Sequence, residues 1–251
     1  MVYAMKRALI VAVFLGVAFS VPLIYRYAPT ARDFLYVRLR GRRTVQEVVR
    51  EYGPTAEARL KPYFDRAGIS YPPYRIALLA FKLEKELELW ARLEGAWTYI
   101  RKYPILAASG KAGPKLREGD RQVPEGIYRV VSFNPNSAYH LSIKLDYPNV
   151  FDLQKARLEG RVNPGSDIFI HGGARSIGCL AVGEAAIEEL FVIAARVGSD
   201  NVEILIAPND LRCGPPVTDL TAQPSWVGLL YESVAAELRR FMHPANASAG
   251  R

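Results

Sequence analysis

Cysteine and histidine are scarce in this sequence, and this limits the metal chemistry open to it. The 251 residues contain two cysteines, Cys179 and Cys213, and three histidines. Neither cysteine lies in a C-x-x-C pair, so a structural zinc site is not expected. With His140 and His171 the cysteines could form a Cys/Cys/His/His set, but its spacings match no metal pattern. A Cys179–Cys213 disulfide is a second alternative, and it would exclude a free thiol at position 179.

The sequence also lacks the features of a nucleic-acid-binding protein. Its net charge is +8, and residues 26–62 hold nine Lys/Arg against four Asp/Glu. No basic helix with interleaved aromatic residues accompanies this excess, and no internal repeat is present. We therefore predict no nucleic-acid partner and assign the charge to an anionic surface, such as lipid headgroups or an acidic wall polymer. Half of the residues are apolar, which is enough for a substantial core.

One long apolar run occurs, at the N-terminus. Lys6 and Arg7 precede eighteen uncharged residues, 8–25, which is typical of a cleaved signal peptide or a retained signal anchor. The basic cluster after this run opposes export under the positive-inside rule, yet we predict export because of the chemistry described below. The expected location is the periplasmic face of the inner membrane, or the soluble periplasm after cleavage. The predicted divisions are a membrane segment, a helical spacer, a catalytic domain and a C-terminal helix with tail: 1–27, 28–72, 73–213 and 214–251.

Hydrophobic periodicity predicts a mainly β protein with flanking helices, an α+β class arranged as a β-sandwich or an open barrel. Residues 32–67 are predicted to be helical, with Pro54 opening a second helix that ends near Gly68. Alternation predicts a half-exposed strand over 86–91, with Glu88 and Trp90 on the exposed side. Further strands are expected at 76–81, 97–102, 127–133, 139–145, 168–170 and 202–207, and further helices at 151–158, 184–197 and 225–241.

The strand predicted over 168–170 leads into the most informative motif. It ends on His171, Gly172 and Gly173, and Cys179 follows eight positions after the histidine within a Ser-x-Gly-Cys sequence. A thiol with an ordinary pKa of about 8.5 attacks well only when a neighbouring base or positive charge favours the thiolate. The pattern therefore predicts Cys179 as a nucleophile and His171 as its base. A core histidine and a buried thiol are the opposing interpretation.

The residues around Cys179 have candidate roles in acyl transfer. Ser176 could orient the imidazole or bond local backbone instead. The backbone N–H groups of Ile177, Gly178 and Cys179 are candidates for an oxyanion hole, since a glycine tolerates the turn that it requires.

Substrate contacts have weaker candidates. Arg175 could bind a substrate carboxylate or be a solvated loop charge. Gly172 and Gly173 would allow close approach. His140 could face the cleft or be structural.

Several segments together resemble the catalytic domain of the L,D-transpeptidase (YkuD-type) family, and specifically its YafK-like branch. The resemblance covers roughly residues 56–207. It is carried by the motif around His171 and Cys179 and by a series of supporting segments in the same order: 78–82, 103–110, 113–115, 119–120, 124–128, 140–142 and 147–149. One departure is Ile177, which stands where the broader family has a second histidine.

The resemblance implies a function at the cell envelope. Members act on peptidoglycan stem peptides at meso-diaminopimelate through a cysteine thioester, which an amine or water resolves, and no metal or organic cofactor is implied. Hydrolysis would include release of a wall-attached lipoprotein, so such a protein is a second expected partner. The alternative is a membrane-anchored wall-binding protein whose site is degenerate.

Overall fold

The computed structural model describes residues 41–92 and 94–242. Among these residues, 44–92, 94–135 and 139–242 form one compact unit, and 41–43 group with 136–138 in another. The predicted membrane segment, 1–27, lies outside the described residues. Within the described ranges, every helix is too short or too polar to be a membrane span.

The first described helix, α1 (Val45–Ala67), is one continuous element. The Thr44 side chain accepts from the Glu47 N–H, and the Glu47 carboxylate accepts from the Thr44 N–H, so both ends of a capping box are present. The helix ends at Gly68 in the left-handed conformation (φ 68°), as predicted. The prediction that Pro54 opens a second helix is wrong, because Pro54 lies inside α1. Val48 and Phe64, on either side of it, are buried in one core, and this packing outweighs the roughly 3 kcal/mol cost of an internal proline.

Nine strands in the described part of the chain form one mixed sheet. In chain order they are β1 (Arg75–Phe81), β2 (Glu86–Arg92), β3 (Thr98–Pro104), β4 (Ala107–Ala108), β5 (Gly126–Asn134), β6 (Ser142–Leu145), β7 (Phe169–His171), β8 (Leu180–Ala181) and β9 (Val202–Ala207). Their order across the sheet is β3-β2-β1-β9-β5-β6-β7-β8-β4. The β1/β9 and β7/β8 pairs are parallel and the other pairs are antiparallel.

The sheet curves strongly because its two edge strands are joined directly. β3 and β4 lie at opposite ends of the strand order, yet only Ile105 and Leu106 separate them in the chain. The Ile105 N–H donates to the Lys85 carbonyl next to β2, and the Leu106 N–H donates to the Ala181 carbonyl in β8. The predicted β-sheet with flanking helices is thus confirmed, as one curved open sheet rather than two packed sheets, although the helices are longer than the term mainly β implies.

Two hydrophobic cores cover the two faces of the sheet. Alternate residues of β1 divide between them, with Ile76 and Leu78 in the first core and Leu79 and Phe81 in the second. The first core also takes residues of α1 and α3 (Glu184–Val197), and the second takes residues of α4 (Val227–Leu238). The short α2 (Val150–Leu158) buries only Ala156 among its own residues.

Strand β2 is more buried than its sequence predicts. Glu88 and Trp90 were expected on an exposed face, but both are buried. The Arg212 guanidinium lies 3.0 Å from the Glu88 carboxylate, and the Trp90 indole N–H donates to the same carboxylate at 2.8 Å. The predicted alternation of two side-chain faces along β2 is correct, but the prediction that one of these faces is exposed is wrong. The face that carries Glu88 and Trp90 lies against the second core.

The strand predicted over residues 139–145 is shorter in the structure. β6 begins at Ser142, and His140 lies in a bend with φ 75°, outside any strand. A left-handed residue cannot continue a β-ladder, which explains the late start. This bend places Tyr139 and His140 beside the end of β7.

Candidate active site

The β7/β8 pair brings His171, the last residue of β7, beside Cys179, which immediately precedes β8. The pairing is parallel, with Ile170 opposite Leu180 and His171 opposite Ala181. Cys179 precedes β8 and stands two residues before Ala181, the partner of His171. Two residues of extended chain span about 7 Å at most and neighbouring strands lie about 5 Å apart, so the two Cα atoms lie within about 9 Å of each other. Long-range sheet pairing thus forms the site that the motif predicts.

His171 is held by its own backbone neighbour and by an aromatic ring. It is 3% exposed, and its Nδ1 lies 2.6 Å from the Gly172 carbonyl oxygen. A carbonyl only accepts, so this bond requires the proton on Nδ1 and leaves Nε2 with a lone pair. The Tyr139 ring lies against the imidazole, with a centroid separation of 4.5 Å. The geometry therefore gives Nε2 the form of a base.

Gly172 is needed for this arrangement. A Cβ at this position would clash with the Tyr139 carbonyl oxygen and come within 3.2 Å of the His140 Cβ. Its N–H donates to the Leu141 carbonyl at 3.2 Å. Gly172 thus allows a close approach of the protein's own backbone, and its predicted role in substrate contact stays a prediction.

Cys179 is a free, partly exposed thiol. Its Sγ lies 3.7 Å from the Asp167 carbonyl oxygen. Desolvation by the surrounding protein raises the pKa of this thiol to about 11, the Phe169 N–H and Lys115 lower the pKa, and Asp167 raises it. Such a thiol is protonated at neutral pH, so it needs a base to become a nucleophile.

Ser176 organises the turn before Cys179. Its hydroxyl donates to the Cys179 carbonyl at 2.6 Å and accepts from the Gly178 N–H at 3.2 Å. The Ser109 N–H also donates to it at 3.1 Å, and the two serine hydroxyls lie 3.0 Å apart. Of the two predicted alternatives, these contacts correspond to local backbone bonding, while Nδ1 of His171 has the Gly172 carbonyl as a partner.

The three residues whose N–H groups are oxyanion-hole candidates differ in hydrogen bonding and exposure. Gly178 has φ 130°, a conformation that favours glycine, and its N–H is directed at Ser176. Ile177 is 59% exposed and Cys179 is partly exposed. Their role as an oxyanion hole stays a prediction.

The remaining predicted substrate residues fall in different places. Arg175 is exposed in the loop between β7 and β8, and Gly173 accepts from the Gly183 N–H at 3.1 Å. The His140 ring lies 2.9 Å from the Glu188 carboxylate on α3 and packs edge-on against Tyr52 of α1. The structural alternative for His140 therefore has direct contacts to support it.

The sequence analysis missed several residues around the site. Ser109, Tyr139 and Asp167 contact the motif residues through bonds or ring contacts described above. Asp167 has φ 56°, which aspartate tolerates better than most residues, but no sequence pattern announces it. Ser109 and Lys115 lay in segments noted only for resemblance.

The metal and disulfide alternatives find no support in the described part of the chain. Cys179 and Cys213 are both free, and Cys213 is exposed. Residues 41–92 and 94–242 contain no cluster of three or more His, Cys, Asp or Glu side chains that could hold a metal.

Comparison with known proteins points to one family. Residues 83–204, which include His171 and Cys179, match the model of the YkuD L,D-transpeptidase catalytic domain. The Escherichia coli (strain K12) protein named "Putative L,D-transpeptidase YafK" is 36% identical over 133 residues, 51% of this chain and 52% of that protein. The chain thus spans about half the length of the curated relatives it matches. These matches confirm the predicted resemblance.

Two solved structures are also similar in part. One is the helical cell shape determining protein Pgp2 from Campylobacter jejuni, with a TM-score of 0.44, 24% identity and coverage of 54% of this chain and 48% of that one. The other is Bd1075 of Bdellovibrio bacteriovorus, with a TM-score of 0.40, 23% identity and coverage of 66% and 55%.

Proposed function

We propose that the chain is a cell-envelope cysteine acyl-transfer enzyme acting on peptidoglycan stem peptides, a proposal supported by the match of residues 83–204 to the YkuD L,D-transpeptidase catalytic domain. The observation that carries the proposal is the parallel β7/β8 pairing, which sets His171 at the end of β7 and places Cys179 in the turn immediately before β8. A nucleophile and a base so placed are what acyl transfer at an amide requires.

The first half-reaction uses His171 as a base. Nε2 takes the Cys179 proton, and the thiolate attacks the carbonyl carbon on the L-centre of meso-diaminopimelate. The carbonyl π electrons move to oxygen, and N–H groups of Ile177 and Cys179 stabilise the oxyanion. Collapse of the intermediate expels the amine, which takes the proton from His171, and leaves a thioester on Cys179.

The second half-reaction resolves the thioester. An amine or water gives its proton to His171 Nε2 and attacks the thioester carbonyl, and the Cys179 thiolate leaves and is reprotonated. Water makes the protein a hydrolase, including one that releases wall-attached protein, and an amine makes it a cross-linking or attachment enzyme. The resemblance to the YafK-like branch favours hydrolysis of a diaminopimelate-linked bond.

The Gly172 and Ser176 contacts support this chemistry. The Gly172 carbonyl accepts from Nδ1–H and stabilises the imidazolium formed after each proton transfer. The four contacts of the Ser176 hydroxyl fix the turn that presents Cys179. Both act before substrate binds, which is the condition for preorganised catalysis.

The location belongs to the same proposal. The apolar run 8–25 after Lys6 and Arg7 supports export to the periplasm, either anchored in the inner membrane or released from it. A wall-attached lipoprotein is the proposed second partner. Fusion of the N-terminal segment to a reporter active only outside the cytoplasm tests the location, and an inactive fusion would contradict it.

The activity is tested on purified sacculi. Full-length protein in mild detergent is incubated with sacculi that carry attached lipoprotein, beside the Cys179→Ala and Cys213→Ala variants. We expect wild type and Cys213→Ala to change the muropeptides or release protein, as read by mass spectrometry, and Cys179→Ala to change neither. Identical profiles for wild type and Cys179→Ala would refute catalysis and favour the wall-binding alternative.

A further inference from the structure

Lys115 is a buried cation close to the thiol. It lies among residues 109–125, which connect β4 to β5, and it is only 7% exposed. Its ammonium group donates to the Asp120 carboxylate at 2.6 Å and to the Arg117 carbonyl at 2.9 Å. An ammonium group has three N–H donors, so one stays without an acceptor among the described residues.

The loop of Lys115 is fastened to the loop that faces Cys179. The Tyr147 hydroxyl lies 2.7 Å from the Pro164 carbonyl and 3.3 Å from the Lys115 carbonyl. The Ser166 N–H donates to the Glu118 carboxylate at 3.1 Å. The next residue, Asp167, has its carbonyl oxygen 3.7 Å from Cys179 Sγ. The two loops thus form one bonded layer on this side of the thiol.

Gly165 shows how closely the lysine approaches this layer. A Cβ at Gly165 would lie 2.6 Å from the Lys115 Cε and 3.2 Å from its Nζ. The lysine side chain therefore crosses the Gly165 backbone in direct contact. A glycine at this position, with φ 102°, leaves room for the ammonium group two residues before Asp167.

The charges that act on Cys179 have opposite signs. Asp167 raises the pKa of the thiol and Lys115 lowers it. The Asp167 carboxylate is itself paired with Lys144 at 2.6 Å and is largely exposed, so water screens it. Arg175 is exposed, and Ile177 carries no charge. Lys115 differs from the others because its charge is buried.

We propose that Lys115 is a positioning residue that stabilises the Cys179 thiolate electrostatically, from a segment of the chain remote from the Ser176–Cys179 motif. A buried charge is screened less than an exposed one, so a single lysine can favour thiolate formation when His171 takes the proton. The inference rests on the proposed function in that it treats Cys179 as the nucleophile. Its Asp120 partner holds the ammonium group in place and partly neutralises it.

The test measures thiol ionisation directly. In a full-length Cys213→Ala background, so that Cys179 is the one cysteine left, the rate of iodoacetamide alkylation is recorded from pH 6 to 11. We expect Lys115→Met to slow alkylation at pH 7.5 by about three- to tenfold and to move the profile to higher pH. Lys115→Arg should restore most of the rate, and Lys111→Met, at an exposed lysine of the same loop, should change it less than twofold.

Two further variants protect the test against misfolding. If Lys115→Met melts at a much lower temperature than its parent, Asp120→Asn is used, which leaves the lysine but removes its counter-charge. Asp120→Asn and Asp167→Asn should both accelerate alkylation at pH 7.5. A folded Lys115→Met with an unchanged profile, or an Asp120→Asn that is no faster, would overturn the inference.

The alkylation assay contains no peptidoglycan. If the alkylation profile shifts as expected but the protein does not process sacculi, the proposed function is contradicted and the role of Lys115 is still supported. If the protein processes sacculi but the alkylation profile does not shift, only the proposed role of Lys115 is contradicted.

Discussion

The two cysteines present the same side chain in two different surroundings. Cys213 is exposed, and its Sγ lies 3.7 Å from the carboxylate of Asp210, which is paired with Arg212. Cys179 lies at the β7/β8 pair, one strand from His171. Desolvation raises the pKa of both thiols. What distinguishes Cys179 is therefore its place beside the strand that ends at His171, the proposed base.

The sharpest test of this difference is covalent labelling by an acylating agent. A carbapenem, chosen by analogy with the family, should add to Cys179 and leave Cys213 unmodified. Cys179→Ala should reduce acylation by more than about a thousandfold, because the nucleophile is lost. Intact-mass and peptide mass spectrometry measure the adduct, with Cys213→Ala as the matched control. An adduct found on Cys213 alone would reverse the assignment of the nucleophile.

Removal of the proposed base, His171, should reduce the difference in reactivity between Cys179 and Cys213. His171→Asn keeps a polar side chain but loses the imidazole, so acylation of Cys179 should fall by about a hundredfold or more. Alkylation of Cys213 by iodoacetamide should stay at the wild-type rate. The rates are followed by mass spectrometry on one sample. Acylation of the variant at the wild-type rate would show that His171 is not the base.

Loss of the Ser109–Ser176 contact should have a smaller effect on the acylation rate of Cys179. Ser109→Ala removes the hydroxyl 3.0 Å from Ser176 Oγ but keeps the backbone N–H that donates to it. The turn at Cys179 should loosen, and acylation should slow by about tenfold, as expected for one lost hydrogen bond. Ser132→Ala, on the exposed side of β5, is the control. Equal rates for the two variants would remove Ser109 from the positioning network.

The smallest expected effect is on stability at high pH. The folded pKa of Cys179 is raised from 9.0 to about 11, so both states keep the thiol protonated below pH 9 and its contribution is fully present there. Above pH 9 the unfolded thiol ionises first, and the contribution is lost as pH rises through about 11. Urea denaturation of wild type and Cys179→Ala between pH 8 and 11 should therefore diverge. Parallel curves would show that the thiol is not desolvated.

Much of the active site could be predicted from short-range sequence. The motif around His171 and Cys179 predicted a strand ending in a base and a turn delivering a thiol, and β7 ends at His171. Gly178 adopts φ 130°, and a glycine in such a turn can be predicted from the local sequence alone. The end of α1 at Gly68 follows the same reasoning. These features depend on neighbours within a few residues.

Contacts between distant segments could not be predicted in this way. Glu88 is buried because Arg212, 124 residues away, pairs with it, and Ser109 contacts Ser176 across 67 residues. Pro54 stays inside one helix because residues on both sides of it pack into the same core. Each of these outcomes depends on which segments the fold brings together, and single-sequence periodicity carries no such information.

The sequence by itself determined which residues are the proposed nucleophile and base, Cys179 and His171. It also determined the strand that ends at His171 and the presence of a β-sheet with flanking helices. The tertiary structure decided which thiol lies beside the end of β7, where the Ser176 hydroxyl points and which lysine lies buried beside the Cys179 loop. The physical reason is one of range. Backbone conformation responds to adjacent residues, whereas burial and electrostatic pairing respond to segments that meet only when the curved sheet brings β7 and β8 together.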